Sequence, residues 1–596
     1  MRKHLFIVLL LTANCISAFT QSFAPTETAN LLHNNITGNL PNDYKGGSIV
    51  LRGTIILPQG VMKHGYVAIV NGLIASISDK APQMPNAITV NTNGIILPGL
   101  VDVHNHVPFN VLPRWNPGRL FTNRNQWRTD PEVLAKINGP IDHIEPLYFC
   151  DMNNWSELRA LVGGTTSMMV THAQPCINGL VRNLDLNSGF YGTTELDREH
   201  IFNVLDLPPA NDPSARAAFV GAANFFIGNP FYEALFIHLA EGTDAASKEE
   251  FTFMQSQSLL NPKGVVIHGI PLTAPDFQAM ANKGTALVWS PRSNLELYGT
   301  TANIRAALDA GVEIALAPDW AVTGSSNLLN ELKVADKWNR KRLGGRLTDR
   351  QLVDMVTSAP AHIAGVDDEV GAIKVGLRAD ILVINGDHNK PYRAVIEATA
   401  VDVELVLING VPLYGDKKFM QDFWRKSELE DIKLSKVTKT LAIPATNISV
   451  ADIEKRLKLA LQKEGTSLAP LTEADDFMLP PTTVATTSNW TNISTEHILT
   501  MEAQNVNRNK EMIYPGKFTA TVLHNPSRNY FTISTQSSSS ELVQLRVMDV
   551  FGRIIEKRNG VVANATFQIG NNFRSGIYFV EVMQGNQRQL MKLIRQ

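Results

Sequence analysis

Between about residues 98 and 368 the chain alternates short, wholly apolar runs with stretches whose apolar positions recur at helical spacing. Phe236-Ile237-His238, Val265-Val266-Ile267-His268 and Ile314-Ala315-Leu316-Ala317 are such runs. Their regular alternation with helices predicts βα units around a parallel sheet, the repeat of an α/β barrel. The flanks read differently. In residues 47–97, Gly65 to Val70, then Asn71-Gly72, then Leu73 to Ile77 form a hairpin whose turn dipeptide suits a type I′ bend. β-rich sequence returns at 369–415, through Gly371-Ala372-Ile373, Ala379 to Ile384 and Val403 to Val411. These two flanks, split in sequence, most simply form one composite β-sandwich beside the barrel.

The pattern weakens over 416–513. Ile453 to Leu461 has helical spacing and Pro480 through Ser494 reads as a linker, so this segment is expected to be a helical extension and linker. Residues 514–596 are expected to be a separate all-β sandwich, with strands at Tyr530 to Ile533, Leu545 to Val550 and Gly576 to Val582.

Charge narrows the partner. The net charge is −2 and charged residues make up 18 %, with no basic run interleaved with aromatics, so nucleic acid is not the expected partner and a small molecule is. Residues 1–20 have another purpose. Arg2 and Lys3 precede the apolar stretch Leu5 to Ala13, and the small residues Ser17 and Ala18 follow, the order of a secretory signal peptide. Asn14 is a poor neighbour for a lipid-attachment cysteine at Cys15. No other apolar run reaches the roughly 18 residues of a membrane span, so the mature chain is expected to be soluble. Two further cysteines, Cys150 and Cys176, leave both a disulfide and two free thiols open, and neither belongs to a Cys-x-x-Cys pair.

The chemistry gathers around Pro98-Gly99-Leu100-Val101-Asp102-Val103-His104-Asn105-His106. On a strand, Asp102, His104 and His106 share one face, so two imidazoles stand side by side at its end. Three more apolar runs end in polar groups: His238 with Glu241 three residues on, His268, and Asp319. Residues at the C-terminal ends of barrel strands converge on one pocket, and about 215 residues separate His104 from Asp319, the length of eight βα units. Three neutral imidazoles and a carboxylate suit zinc and leave a position for water, whose acidity the metal raises. Glu241 is the natural proton carrier and His268 a group to orient or polarise substrate.

These motifs, with Ser290-Pro291-Arg292-Ser293-Asn294 and Gly371 through Asp380, resemble the amidohydrolase superfamily, in the branch of aminohydrolases and chlorohydrolases of nitrogen heterocycles. The resemblance covers about residues 47–415. It implies a distorted (β/α)8 TIM barrel over 98–368 and one divalent metal, zinc with iron as the alternative, on His104, His106, His238 and Asp319. It also makes Glu241 the proton shuttle, His268 a neighbouring histidine and Asp319 the holder of the attacking water. Two-metal members use a carboxylated lysine from the fourth strand, and no lysine lies between Thr171 and Ser247, so one metal is expected. Trp320 departs from the family's small residue after the aspartate. Arg114-Trp115, Asn123 through Trp127, Thr171-His172 and Arg182 are further candidates for substrate contact, while Thr357 through His362 resembles a structural helix cap.

The C-terminal unit resembles a type IX secretion sorting domain through Asn525-Pro526, Asp549 through Arg553, Ser575 through Tyr578 and Lys592-Leu593-Ile594. The expectation is a secreted or cell-surface, metal-dependent amidohydrolase that cleaves a non-peptide C–N bond by deaminase-like attack of metal-bound hydroxide on a small molecule. Its other expected partner is secretion machinery. A cyclic-amide or other amide hydrolase and a catalytically idle binding protein stay open as alternatives.

Overall fold

The computed structural model describes residues 47–169, 180–184, 201–229, 232–442, 449–473, 477–480 and, with short breaks, 519–595. The leader-like residues 1–20, Thr171-His172, Cys176, Asn525-Pro526, 550–553 and Ser575 lie outside them. The chain divides into two compact units, Met1–Ala485 and Thr486–Gln596.

In the first unit, the leading flank forms β1 (Ile49–Leu57), β2 (Gly60–Val70), β3 (Leu73–Ser78) and β4 (Ile88–Pro98). The barrel region supplies β5 (Leu100–Asp102), β6 (Thr165–Met168), β7 (Arg182–Asn183), β8 (Ile201–Asp206), β9 (Ala234–Leu239), β10 (Gly264–His268), β11 (Ala286–Trp289) and β12 (Ile314–Leu316). The trailing flank supplies β13 (Ile381–Ile384), β14 (Val403–Ile408), β15 (Val411–Gly415), β16 (Leu429–Leu434) and β17 (Val437–Ala442).

The flanks, expected to be layered as a sandwich, are joined edge to edge. They make one nine-stranded sheet in the order β16-β17-β15-β14-β13-β4-β1-β2-β3. The join is apolar: Ile381, Leu382, Val383 and Ile384 pair antiparallel with Pro98, Leu97, Ile96 and Ile95, and all eight are buried. Two strands, β16 and β17, come from the segment expected to be helix and linker, with Ser435 turning between them at φ 50°. Helix Val450–Lys463 follows them and buries Ile453, Leu457 and Leu461.

Between β4 and β5 the chain passes from this sheet into the parallel strands. Gly99 makes the passage possible, because a Cβ there would lie 2.2 Å from the Thr166 side chain. Strands β5, β6 and β7 form one parallel sheet and β8 to β12 another. Their ends meet where Asn105 bridges Asp319, with His106 N donating to Asp319 O at 2.9 Å and Asp319 N to His104 O at 3.1 Å. Val101 and Val103 share a buried cluster with Phe236, Val265, Ile267, Val288 and Ala315. Side chains from both sheets thus fill one interior, as unbroken apolar runs require of strands buried on both faces.

Cys150 is disulfide-bonded, and the other two cysteines are outside the described residues. Among the described residues no helix is long and apolar enough to cross a membrane.

In the second unit, β18 (Thr519–Leu523), β19 (Phe531–Gln536) and β22 (Thr566–Ile569) form one antiparallel sheet. A second contains β20 (Val543–Asp549), β21 (Ile554–Val561), β23 (Gly576–Gln584) and β24 (Gln587–Arg595). Phe531 and Ile533 from one and Leu545, Val547, Val580 and Val582 from the other close a common core, which makes this unit a two-layer sandwich. Tyr578 belongs to that core and donates its hydroxyl to Arg574 O at 2.9 Å.

Candidate metal centre

Four strand ends bring six side chains together. His104 and His106 follow β5, His238 lies in β9 with Glu241 just beyond it, His268 ends β10, and Asp319 follows β12. Ligand atoms of His104, His106 and His238 lie within 4.8 Å of one another, as do those of His104, His268 and Asp319. All six residues are buried except His106, which is half-buried.

The His238 tautomer follows from its outer partner. His238 Nδ1 is 2.9 Å from Asp206 Oδ1, and a carboxylate only accepts, so this nitrogen carries the proton and Nε2 keeps its lone pair. His104 Nδ1 lies 3.1 Å from Ser290 Oγ, a hydroxyl able to donate or to accept. The Nε2 atoms of His104 and His238 face each other at 3.0 Å. With the His104 proton on Nδ1, both Nε2 lone pairs would be available to one cation. Asp319 Oδ1 adds a second type of donor, 3.4 Å from His104 Nε2 and 3.3 Å from His106 Nε2. Its other oxygen accepts from Ser293 Oγ at 2.6 Å.

The electrostatics suit a cation in the same place. Burial pushes the His104 imidazole well below its usual pKa and lowers that of His238 to about 4, so both present neutral nitrogens. Burial works against the Asp319 charge, but His104 and His106 outweigh it and keep the carboxylate ionised. Neutral imidazoles beside an ionised carboxylate fit zinc.

Backbone strain marks the same positions. His268 and Asp319 take φ values of 76° and 69°, and Ala240, just before Glu241, takes 54°. Side chains rarely tolerate that region, and here it turns strand ends sharply into the pocket.

Glu241 and His268 lie beside the histidine cluster. Glu241 Oε2 is 3.7 Å from His268 Nε2. His268 Nδ1 donates to Asn294 Oδ1 at 2.9 Å. Glu241 Oε1 accepts the Tyr298 hydroxyl at 2.7 Å. Burial raises the cost of its charge, while His268 and Arg128 more than offset it and hold its pKa below the ordinary value.

One short segment supports most of this. Ser290 caps helix Pro291–Tyr298, and from it Ser290, Ser293, Asn294 and Tyr298 reach His104, Asp319, His268 and Glu241 respectively. Sequence reading singled out this motif but gave its members no task. The i, i+4 spacing of Asn294 and Tyr298 was a usable signal, since it puts both on one helix face. Asp206 was missed, although it closes the apolar Val204-Leu205 as the other site residues close theirs.

The remaining candidates separate. Trp127 and Trp320 pack at a tilt of 41° with ring centroids 5.4 Å apart, and Trp320 also meets Phe109 at 5.5 Å and His106 at 6.2 Å. Through Trp320 they pack against the histidine cluster. Arg182 is elsewhere: fully buried, it pairs with Asp380 and bonds Ser167 and Asn409, which makes it a core residue and assigns Asp380 of the trailing motif to the same task. Arg114 spans Gly324 O and Glu473, tying the loop after β5 to residues 469–473. Trp115 is buried near Phe121, and His362 pairs with Glu313 at the surface.

Residues 236–413, which include His238, Glu241, His268 and Asp319, match the Amidohydrolase family, and residues 521–596 match the Secretion system C-terminal sorting domain. The chain carries an amidohydrolase domain and a sorting domain. Over 417 residues it is 22 % identical to a 5-methylthioadenosine/S-adenosylhomocysteine deaminase of Syntrophus aciditrophicus, covering 63 % of this chain and 93 % of that one. A 5′-deoxyadenosine deaminase of Methanothermobacter thermautotrophicus is also 22 % identical, covering 62 % and 93 %. Among solved structures, the atrazine chlorohydrolase from Arthrobacter aurescens TC1 complexed with zinc aligns at TM-score 0.52 and 16 % identity, covering 69 % of this chain and all of that one. A triazine hydrolase variant aligns at 0.53 and 16 %, covering 70 % and 99 %. These two share the fold of the amidohydrolase domain, an α/β architecture with additional β structure. The sorting domain indicates export through a secretion system.

Proposed function

We propose that the chain is an exported, zinc-dependent hydrolase that breaks a non-peptide carbon–nitrogen bond by a deaminase-like reaction. The observation that carries this reading is the convergence of His104, His106 and His238 with an ionised Asp319, where His104 Nε2 lies 3.0 Å from the lone pair of His238 Nε2. His104, His106, His238 and Asp319 hold the metal. One zinc is the reading best supported, because β8 offers Asp206 rather than lysine and that carboxylate is engaged by His238 and Arg128. The two parallel sheets are arcs of one distorted (β/α)8 barrel, a reading supported by the Asn105–Asp319 bridge between their ends.

A zinc held by these residues would lower the pKa of a water towards neutrality. The residues do the rest. Asp319, tethered by Ser293 on one oxygen, turns the other towards the histidines and orients the water. Glu241 takes the proton that the water gives up and delivers it to the departing nitrogen. His268, fixed by Asn294 through Nδ1, offers Nε2 as the hydrogen-bonding group for substrate or water. Trp127, Trp320 and Phe109 offer flat apolar faces to a planar ring, which together with the deaminase relatives favours an aminated heterocycle as substrate. Residues 1–20 act as the signal peptide and the sorting domain carries the chain to the cell surface or beyond.

The test combines metal analysis with ammonia release. Purified protein is expected to hold about one zinc, lost in the His104→Ala, His106→Ala double variant. It should release ammonia from at least one of 5-methylthioadenosine, 5′-deoxyadenosine, S-adenosylhomocysteine or an aminotriazine. Zinc binding with hydrolysis of cyclic amides only, and no ammonia, would replace the deaminase reading by the amide one. Failure to bind metal after reconstitution overturns both.

A further inference from the structure

We infer that Tyr298 is a positioning residue for Glu241 that decides which carboxylate oxygen carries the proton, a proposal that rests on the hydrolase reading only for what that proton later does. The direction of the hydrogen bonds carries it. An indole N–H can only donate, and Trp127 Nε1 lies 2.7 Å from Tyr298 Oη. Tyr298 is therefore the acceptor in that contact. Its own single proton points to Glu241 Oε1, also at 2.7 Å. If Glu241 instead carried a proton on Oε1 and donated it, Tyr298 Oη would face two incoming protons and its own would have to turn away from both.

Two consequences follow. The Tyr298 hydroxyl stabilises the ionised form of Glu241. It also occupies Oε1, so a proton arriving from water bonds to Oε2, the oxygen 3.7 Å from His268 Nε2, and leaves from there to the nitrogen of the departing group. The phenol proton stays on Tyr298 throughout. Burial holds the Tyr298 hydroxyl well above its usual pKa, in keeping with a hydroxyl that donates without ionising.

The arrangement is anchored at both ends. Tyr298 closes the helix whose Asn294 and Ser293 fix His268 and Asp319. Trp127 belongs to the short helix Arg124–Arg128, and Arg124 N donates to the Glu241 carbonyl at 3.1 Å. Gly242, at φ 149°, allows this docking, since a Cβ there would sit 2.3 Å from Thr122 O. The short helix after β5 thus holds the indole that aims the phenol at Glu241. The other charged or titratable groups facing Glu241 are His268, His238, Arg124, Arg128 and Glu250.

The test reads Glu241 directly in the zinc-loaded full chain. Difference infrared spectra between wild type and Glu241→Gln isolate its carboxylate stretch, which is then followed against pH. Tyr298→Phe is expected to raise the Glu241 midpoint by about one pH unit, a tenfold change in its protonation constant, with zinc content unchanged. Trp127→Phe, which removes the donor but leaves the phenol, should move it by less in the same direction. With 5′-deoxyadenosine as probe, kcat should fall in Tyr298→Phe while KM stays put. An unmoved midpoint in Tyr298→Phe overturns the proposal. If the infrared shift is found but no substrate in the panel turns over with zinc bound, the hydrolase reading fails and the Tyr298–Glu241 coupling stands.

Discussion

Asp206 and His238 face each other at 2.9 Å across neighbouring strands, and Asp206 Oδ2 also accepts from Arg128 at 2.9 Å. The carboxylate fixes the imidazole with its proton on Nδ1, so Nε2 points at His104 as an acceptor. Burial opposes the Asp206 charge, but His238 and Arg128 outweigh it and keep the carboxylate ionised. Removing such a partner usually lowers metal affinity about 10- to 100-fold. Asp206→Ala should do so in a chelator competition with zinc. Because the Asp206 side chain is half-exposed, thermal stability should change little. Unaltered zinc affinity would mean that packing alone orients His238.

Glu241→Gln keeps the size and the acceptor for Tyr298 but cannot take up a proton. Zinc content should match wild type, and kcat should fall by about two to four orders of magnitude, the usual worth of a positioned acid–base group. Turnover near the wild-type rate would remove Glu241 from the chemistry.

The clustered histidines and Asp319 were legible in the sequence because they stand at or just beyond the ends of apolar runs, and a strand end is a place that sequence can find. His104, His106, His238, His268 and Asp319 all satisfy that rule. What supports them was less legible for two physical reasons. Asp206 closes a run just as they do, but no short motif accompanies it. Tyr298 and Trp127 meet across 171 residues of sequence, through a helix end and a short helix whose docking depends on Gly242. The joining of the two flanks into one sheet was hidden in a different way. The apolar pattern of Ile381 to Ile384 says that a strand is buried on both faces, and nothing in it says whether β4 lies beside that strand or on top of it.

Arg182 offers a test of the core that leaves the chemistry alone. It is fully buried and paired with Asp380, and Asn409 accepts from it at 2.6 Å. Removing one partner of a buried pair strands the other charge, at a cost of about 3–5 kcal/mol. Asp380→Ala should therefore lower the stability of the first unit by that amount in denaturant unfolding. The surviving folded protein should bind zinc as wild type does. A loss of zinc affinity without a loss of stability would make this pair part of the metal centre.

Glu157 predicts a pH dependence of stability. Burial raises its pKa to about 7, against the partial compensation of two backbone donors, Leu180 N at 2.5 Å and Val181 N at 3.2 Å. In the unfolded chain the same group titrates near 4.3. The folded state therefore holds a proton that the unfolded state has given up, and stability declines as pH rises through the interval between those values. Above pH 7 the decline levels off, because both states are then ionised. The slope is at most about 1.4 kcal/mol per pH unit. Glu157→Gln keeps an oxygen for the two backbone donors and removes the titration. Relative to wild type it should gain stability steadily from pH 5 to 7, and no further from 8 to 9. A constant difference across the whole range would show that Glu157 keeps its charge when folded.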